Sequence, residues 1–341
     1  MQDRTKFIKE RIEKTGFPFE IEIASALKKA EWEVLLSSPY WDEDEEKWRE
    51  IDIKAYKTIT QIDGKDLKPY SLTLALIIEC KKTEGSAWVF FPWPRDTSDM
   101  QLLRINYLDF LTVAKRQSLL IERIQYGESP SPAELRLLNL DPDILTSHQA
   151  LIDPKIAKNL KFFSELGIIA PDTFKFFTAR EKALNYKEIK LNKEHGSGPH
   201  EIFEAINILI KATKQDMKLS SLVTYAGTEL AKRGADRGTF QIKIFIPILL
   251  FRGELYKWSN DEVNEVDQVL LEGKCHTNKY FENMLIGVVK DSHFDKFLSE
   301  LNDDQGELLR RICSKRGDLE EQVKIIMKSP DFYGPPRPSL I

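Results

Sequence analysis

The sequence has few cysteines, no long apolar run and none of the short motifs of nucleotide-cradling loops or serine hydrolases. Its three cysteines, Cys80, Cys275 and Cys313, are far apart, which argues against a disulfide framework and a cysteine-based zinc site. No apolar run approaches the length of about 20 residues that a membrane-spanning helix needs. Neither a Gly-x-x-x-x-Gly-Lys-Ser/Thr loop nor a Gly-x-Ser-x-Gly turn occurs. The charged start of the chain has no signal-peptide core, so we expect a cytoplasmic protein.

Neither sign of charge dominates the composition. The 341 residues include 50 basic and 54 acidic ones, which gives a formal net charge of −4. This argues against a protein coated in basic residues for nucleic-acid binding. Residues 151–240 carry 15 basic and 11 acidic residues, so the composition permits a local phosphate-binding face without requiring one.

The first part of the chain combines one helix with three strand patterns. Apolar residues at helical spacing predict a helix that begins near Pro18. Strands are predicted at 32–36 and, from alternation with a period of two, at 50–56. The continuously apolar run 72–80 predicts a central strand that is covered on both faces. The acidic segment 42–46 is expected to be an exposed loop, because it is too charged to bury.

The middle of the chain is dominated by helical periodicity. Apolar spacing over 98–126 predicts helix, and we interpret 95–185 as a mainly helical insertion or subdomain. Residues 1–94 would then form the amino-terminal part of an α/β core and 186–328 its remainder. The proline-rich segment 329–341 is expected to be a flexible tail.

The last part of the chain returns to an α/β pattern. A helix is predicted over 200–218, and its lysines Lys211, Lys214 and Lys218 form a stripe that we interpret as solvated. Strand signals from 240 to 258 are interpreted as a hairpin that turns at Arg252-Gly253. The order of helices and strands predicts an α/β fold with a mixed sheet.

Three charged residues at strand positions are the candidate functional residues. Glu79 and Lys81 end the apolar run and lie two residues apart, so they project from the same face, whereas Cys80 points into the opposite layer. Asp52 lies opposite the apolar side of its own strand. Charges at such positions must pair or bind something. If the two strands are neighbours, two carboxylates and one ammonium group converge.

This set of groups suits one kind of chemistry. Two carboxylates with water oxygens are ligands that Mg²⁺ prefers. The metal lowers the pKa of a bound water and stabilises charge on a phosphate, and a lysine beside it orients the water and offsets negative charge. The set therefore predicts metal-assisted phosphodiester hydrolysis. A structural salt-bridge cluster at a strand end is the alternative interpretation.

The motifs around these residues are Glu50-Ile-Asp52-Ile and Ile77-Ile-Glu79-Cys-Lys81-Lys82, preceded by Gly16-Phe-Pro-Phe-Glu20-Ile-Glu-Ile-Ala-Ser-Ala-Leu27. Together they resemble the PD-(D/E)XK, or restriction-endonuclease-like, nuclease superfamily. The resemblance implies an αβββαβ core with a mixed sheet, in which Asp52 and Glu79 bind the metal and Lys81 is the catalytic lysine. The chain departs from the literal motif in having Ile51 where the motif has proline.

The resemblance also implies an acidic residue contributed by the first core helix. Glu20 is in phase with Ile23, so it faces the sheet, whereas Glu22 is in phase with Lys29. We therefore prefer Glu20 over Glu22 as an additional catalytic and metal-binding residue.

The function that the resemblance implies is a Mg²⁺-dependent nuclease, with Mn²⁺ as a substitute, acting as an endonuclease on DNA in restriction, defence or repair. A homodimer, or a partner subunit bound through the helical insertion, would be consistent with such an enzyme. The alternative from a different class is a non-catalytic nucleic-acid-binding or scaffold protein with a nuclease-like fold.

Overall fold

The computed structural model describes residues 2–13, 15–61, 70–94, 104–109, 181–191, 200–222, 240–276, 281–315 and 317. The described helices are α1 (Gln2–Glu13), α2 (Phe17–Lys29), α3 (His200–Leu222) and α4 (Phe294–Ser314). The strands are β1 (Glu33–Asp42), β2 (Lys47–Gln61), β3 (Tyr70–Pro94), β4 (Arg104–Asp109), β5 (Glu181–Lys190), β6 (Phe240–Ser259), β7 (Glu262–Glu265), β8 (Gln268–His276) and β9 (Phe281–Lys290). A 3-10 turn, Asp291–His293, precedes α4. No helix in these ranges is long and apolar enough to cross a membrane.

The nine strands form one mixed sheet with the order β1-β2-β3-β5-β8-β9-β6-β4, and β7 pairs with β6. The first three strands form an antiparallel meander. β6 runs parallel to β3 along most of its length and also pairs in parallel with β9. The prediction of an α/β fold with a mixed sheet is therefore confirmed at this level.

Helices cover the sheet on both faces. On one face, α2 and α4 pack on alternate residues of β3, such as Leu72, Leu74 and Leu76. On the other face, α3 packs on residues of the opposite parity, such as Ile77. A fully buried side chain of this size contributes about 1.5–3 kcal/mol, so the run 72–80 is central to the stability of the fold, as its sequence predicts.

β3 continues well beyond the apolar run, to Pro94. The pairing with β6 is irregular between Lys82 and Ala87, and Gly85 lies there with a φ of 76°. Beyond this irregularity the strand resumes, and Trp88 stacks on Phe251 of β6 with ring centroids 3.8 Å apart. A glycine tolerates this backbone conformation at little cost, so β3 can continue as a strand on both sides of the irregularity.

Two sequence predictions for the sheet are wrong. Of the segment 98–126, predicted as helix, residues 104–109 are described, and they form β4, paired antiparallel with β6. A tertiary partner here overrides local periodicity. The predicted hairpin at Arg252-Gly253 is also wrong, because β6 runs unbroken to Ser259 and turns at Asn260 and Asp261, whose φ angles are 52° and 60°. At the other end of the predicted helical insertion, residues 181–185 belong to strand β5. The rest of the insertion (95–103 and 110–180) and the tail (329–341) lie outside the described residues.

The acidic segment 42–46 is not uniformly exposed, which corrects the sequence prediction. Asp42, at the end of β1, is 1% exposed. Its carboxylate accepts hydrogen bonds from Lys211 Nζ at 2.9 and 3.0 Å and from the backbone N–H groups of Asp44 and Glu45. Lys211 is thus part of an ion pair that holds the β1–β2 hairpin against α3, and it does not belong to a solvated stripe.

Removing this ion pair is expected to destabilise the fold. Lys211→Met takes away one of the two charged partners of the buried Asp42 carboxylate and leaves Arg49, whose Nε lies 3.2 Å from Oδ2. The free energy of unfolding should therefore fall by about 1.5–3 kcal/mol in urea denaturation. Lys296→Met, at an exposed position of α4, is the matched control and should change it by less than about 0.5 kcal/mol. Equal effects of the two substitutions would show that the ion pair does not stabilise the hairpin.

Candidate active site

The candidate site lies where β2 and β3 separate. The two strands pair from Gln61 and Tyr70 as far as Ile53 and Ile78. Beyond that point β3 remains paired with β6, and its N–H groups on the other side lose their β2 partners. The side chain of Asp52 takes that place, because its Oδ2 accepts a hydrogen bond from the backbone N–H of Cys80 at 2.7 Å.

The partner strand β1 is distorted at the same level. Its register pairs Leu36 with Ile53 and Ser38 with Ile51, and it skips Ser37 and Asp52 between them. Ser37 has a φ of 46°, which is unusual for a residue with a side chain. The backbone around Asp52 is therefore irregular towards both of its neighbours, β1 and β3. On the β3 side, the Asp52 carboxylate takes the place of a backbone hydrogen-bond partner.

Glu79 and Lys81 lie side by side on the face of β3 that α3 covers. Lys81 Nζ donates a hydrogen bond to Glu79 Oε1 at 2.6 Å. Glu79 is 3% exposed, and its second oxygen, Oε2, is buried with no hydrogen-bond partner among the described residues. Cys80 is buried in the opposite layer. One oxygen of Glu79 is thus held by the lysine, and the other is left to bind something else.

Burial and nearby carboxylates raise the pKa values of the acidic groups in the site. Burial and the Asp52 carboxylate raise the pKa of Glu79 to about 7, although Lys81 acts in the opposite direction. Burial likewise raises the pKa of Asp52, against the lowering effects of the Cys80 N–H and of Lys81. The site therefore contains more buried negative charge than one ammonium group compensates.

Glu20 on α2 lies within electrostatic range of this pair. Burial raises the pKa of Glu20, and the carboxylates of Asp52 and Glu50 add to the rise, while Lys81 opposes it. Its Oε1 lies close to Gly16, where an added Cβ would be only 3.2 Å away. Glu20, the residue preferred over Glu22, is thus near enough for the charges of Asp52 and Lys81 to act on it.

Lys81 is held in its charged form. Burial favours the neutral amine, but the Glu79 and Asp52 carboxylates, together with Glu201 in the first turn of α3, raise the pKa of Lys81. Its side chain is 28% exposed. Lys81 therefore presents a permanent positive charge at a position that solvent can reach.

Sequence reasoning missed Tyr40 as a neighbour of the site. Tyr40 is fully buried in the layer of α3, and its hydroxyl, like Trp88 Nε1, has no hydrogen-bond partner among the described residues. Burial raises the pKa of Tyr40, the carboxylate of Asp42 and then that of Glu79 add to the rise, and Arg49 opposes it. A buried polar atom without a partner costs about 1–3 kcal/mol, so a water or ion is expected nearby. No motif in the sequence marks this tyrosine.

The donor set of the site fits a small hard cation. Within the described ranges, no group of three or more histidine, cysteine, aspartate or glutamate side chains is close enough to hold a metal ion. Mg²⁺ requires less, because it is commonly bound through one or two carboxylates and several waters. Asp52 and the unpartnered Oε2 of Glu79 are such a pair. The two carboxylates therefore fit Mg²⁺ with water as its remaining ligands.

No family model, curated protein or solved structure matches this chain.

The distortion opposite Asp52 leads to a prediction about stability. A side chain at positive φ costs about 1–2 kcal/mol, whereas glycine in an ordinary strand position loses about 0.5–1 kcal/mol. Ser37→Gly relieves the first cost and Ser38→Gly incurs the second, so Ser37→Gly should leave the protein more stable than Ser38→Gly by about 1.5–3 kcal/mol in urea denaturation. Ser38 is the matched control, because it is the next residue and is regularly paired with Ile51. The opposite order of stabilities would contradict the strain at Ser37.

Proposed function

We propose that this protein is a Mg²⁺-dependent nuclease of the restriction-endonuclease-like superfamily that hydrolyses phosphodiester bonds in DNA. The observation that carries the proposal is the grouping of Asp52, Glu79 and Lys81 where β2 and β3 separate. There the Lys81 ammonium holds one oxygen of Glu79 and leaves the other without a partner among the described residues.

The order of elements supports the proposal. The superfamily core has the order helix, three strands, helix, strand. In this chain α2, β1, β2, β3, α3 and β6 follow in that order among the described elements, with α2 and α3 on opposite faces of the sheet. The additional strands β4, β5, β7, β8 and β9 extend the sheet beyond this core.

Each residue has a distinct role in the proposed reaction. Asp52 and Glu79 Oε2 would hold the metal, and Glu20 would assist from the side of Asp52 without completing a three-carboxylate ligand group. Lys81 Nζ, fixed by Glu79 Oε1 at 2.6 Å, orients the attacking water and offsets the negative charge that develops on the phosphate. When bound, Mg²⁺ supplies an activated water and stabilises the charge of the phosphate and the leaving oxygen.

Cleavage assays test the proposal directly. Supercoiled plasmid, linear duplex, single-stranded DNA and RNA are incubated with Mg²⁺, Mn²⁺ or EDTA. We expect DNA cleavage that requires the metal. Lys81→Ala should lower its rate by about 100-fold or more, the size of effect seen when one transition-state charge partner is removed. Asp52→Asn should have an effect at least as large.

Lys82→Ala is the matched control for Lys81→Ala. Lys82 is the next residue of β3, is exposed and points to the other face of the strand, so its replacement should leave metal-dependent cleavage largely intact. Cleavage that survives Lys81→Ala and Asp52→Asn undiminished would show that the site is wrongly assigned. Nucleic-acid binding without cleavage, indifferent to Asp52→Asn, would favour a non-catalytic binding protein.

Metal binding can be tested without a substrate. A ligand that binds only the folded state raises its stability by about 2.7 kcal/mol at one hundred times its dissociation constant. We therefore expect Mg²⁺ to raise the melting temperature of the wild-type protein and to have little effect on Asp52→Asn or Glu79→Gln. Glu10→Gln, at an exposed position of α1, is the control and should respond like the wild type. An equal response of all four proteins would place Mg²⁺ elsewhere.

A further inference from the structure

Arg252 is a residue of β6 that connects the sheet to the helix bearing Glu20. It is paired across β3 and β6 with Lys82, the residue that follows Lys81. Its guanidinium lies over the ring of Phe19, 4.1 Å from the centroid. Nη2 donates a hydrogen bond to Glu22 at 2.8 Å, and Nε donates one to Asp291 at 2.5 Å.

The two α2 residues that Arg252 contacts lie on one face of the helix. Phe19 and Glu22 are three residues apart, so they are neighbours on the helix surface. Glu20 lies about 100° around the helix from Phe19, since an α-helix has 3.6 residues per turn. A contact that fixes the face of Phe19 and Glu22 therefore also fixes the direction in which Glu20 points.

Apart from the buried ring of Phe19, the first turn of α2 has no capping side chain to hold it in register. The helix begins after Gly16, which provides no capping side chain, and Pro18 occupies its first turn without a backbone N–H. Glu20 is in this same first turn. Asp291, the third partner of Arg252, directly follows β9, which pairs with β6 next to Arg252. The guanidinium is thus anchored to the sheet on one side and to the helix on the other.

Only arginine can make this set of contacts. Its planar guanidinium stacks on an aromatic ring while donating from separate nitrogens to two carboxylates, whereas the ammonium group of lysine is a point charge without a stacking face. Arg252→Lys therefore preserves the charge and removes the geometry.

We infer that Arg252 is a positioning residue for Glu20, which clamps α2 through Phe19 and Glu22 so that the Glu20 carboxyl is directed at Asp52. The inference rests on the proposed function, because it assigns Glu20 to the metal site. It also gives Glu22, the alternative helix acid, a separate role, since Glu22 holds the guanidinium at 2.8 Å.

The first test is a double-mutant cycle on Mg²⁺ affinity, measured by calorimetric titration of the full chain. Arg252→Lys and Glu20→Gln are each expected to weaken Mg²⁺ binding, by about 10-fold, the lower end of the range for residues that orient ligands. In the double variant, Arg252→Lys should add little to the loss caused by Glu20→Gln, because it acts through that carboxyl.

Two controls separate positioning from general destabilisation. Glu22→Ala removes one contact of the clamp at an exposed side chain, so folding is not at stake, and it should weaken Mg²⁺ binding in the same direction. Glu10→Ala removes the same charge from α1 without touching Arg252 and should leave affinity unchanged. A purely structural role would lower the melting temperature of Arg252→Lys and leave its Mg²⁺ affinity at the wild-type value, which would overturn the inference.

The second test does not depend on metal. In crystal structures of the wild type and of Arg252→Lys, we expect the Glu20 carboxyl to turn away from Asp52 in the variant. An unchanged Glu20 would refute the positioning role. Failure of the wild type to bind Mg²⁺ would instead refute the proposed function, and the crystal structures would still decide the role of Arg252. In the double-mutant cycle, the inference would also be refuted if Arg252→Lys lowered Mg²⁺ affinity by the same factor in the wild-type protein and in the Glu20→Gln variant.

Discussion

The candidate site depends on one hydrogen bond, from the backbone N–H of Cys80 to Oδ2 of Asp52. At this point the backbone pairing between β2 and β3 ends. Without Asp52, the N–H group of Cys80 would be largely buried and have no hydrogen-bond partner. The aspartate satisfies the N–H and is itself fixed by it. The same contact therefore permits the strands to separate and places a carboxylate beside Glu79 and Lys81.

The surrounding elements hold this opening in shape. α3 is tied to the β1–β2 hairpin through Lys211 and Asp42, so the α3 side of the opening is held. On the other face, Arg252 ties α2 to the sheet through Glu22. Both ties are charged contacts that lie beside the two apolar cores and add to their packing. A site built on strands and helices held in this way keeps its side chains in register.

The sequence predicted those parts of the fold that local patterns determine. The helix of Glu20 follows from a period of 3.6, the strand of Asp52 from a period of two, and the strand of Glu79 from a continuous apolar run. β4 and the continuation of β6 past Arg252-Gly253 could not be predicted in this way, because sheet partners distant in sequence form them. In β6, a side chain at Gly253 would come within 2.5 Å of the Phe251 ring, so this glycine marks close packing. The same limit applies to the site, since Tyr40 and Arg252 reach it only through tertiary contacts.

Two buried carboxyl groups of this protein, Asp42 and Glu79, have opposite electrostatic surroundings. For Asp42, burial acts to raise the pKa, but Lys211 and backbone N–H groups outweigh it, and the pKa is lowered. For Glu79, burial and Asp52 outweigh Lys81, and the pKa rises to about 7. A lowered carboxyl pKa means that ionisation stabilises the fold above the unfolded pKa, and a raised one means that ionisation destabilises it. Asp42 is therefore explained by its partners, whereas the Lys81 ammonium does not compensate the negative charge of Glu79 and Asp52. This difference supports the proposed cation more than a salt-bridge cluster at this strand end.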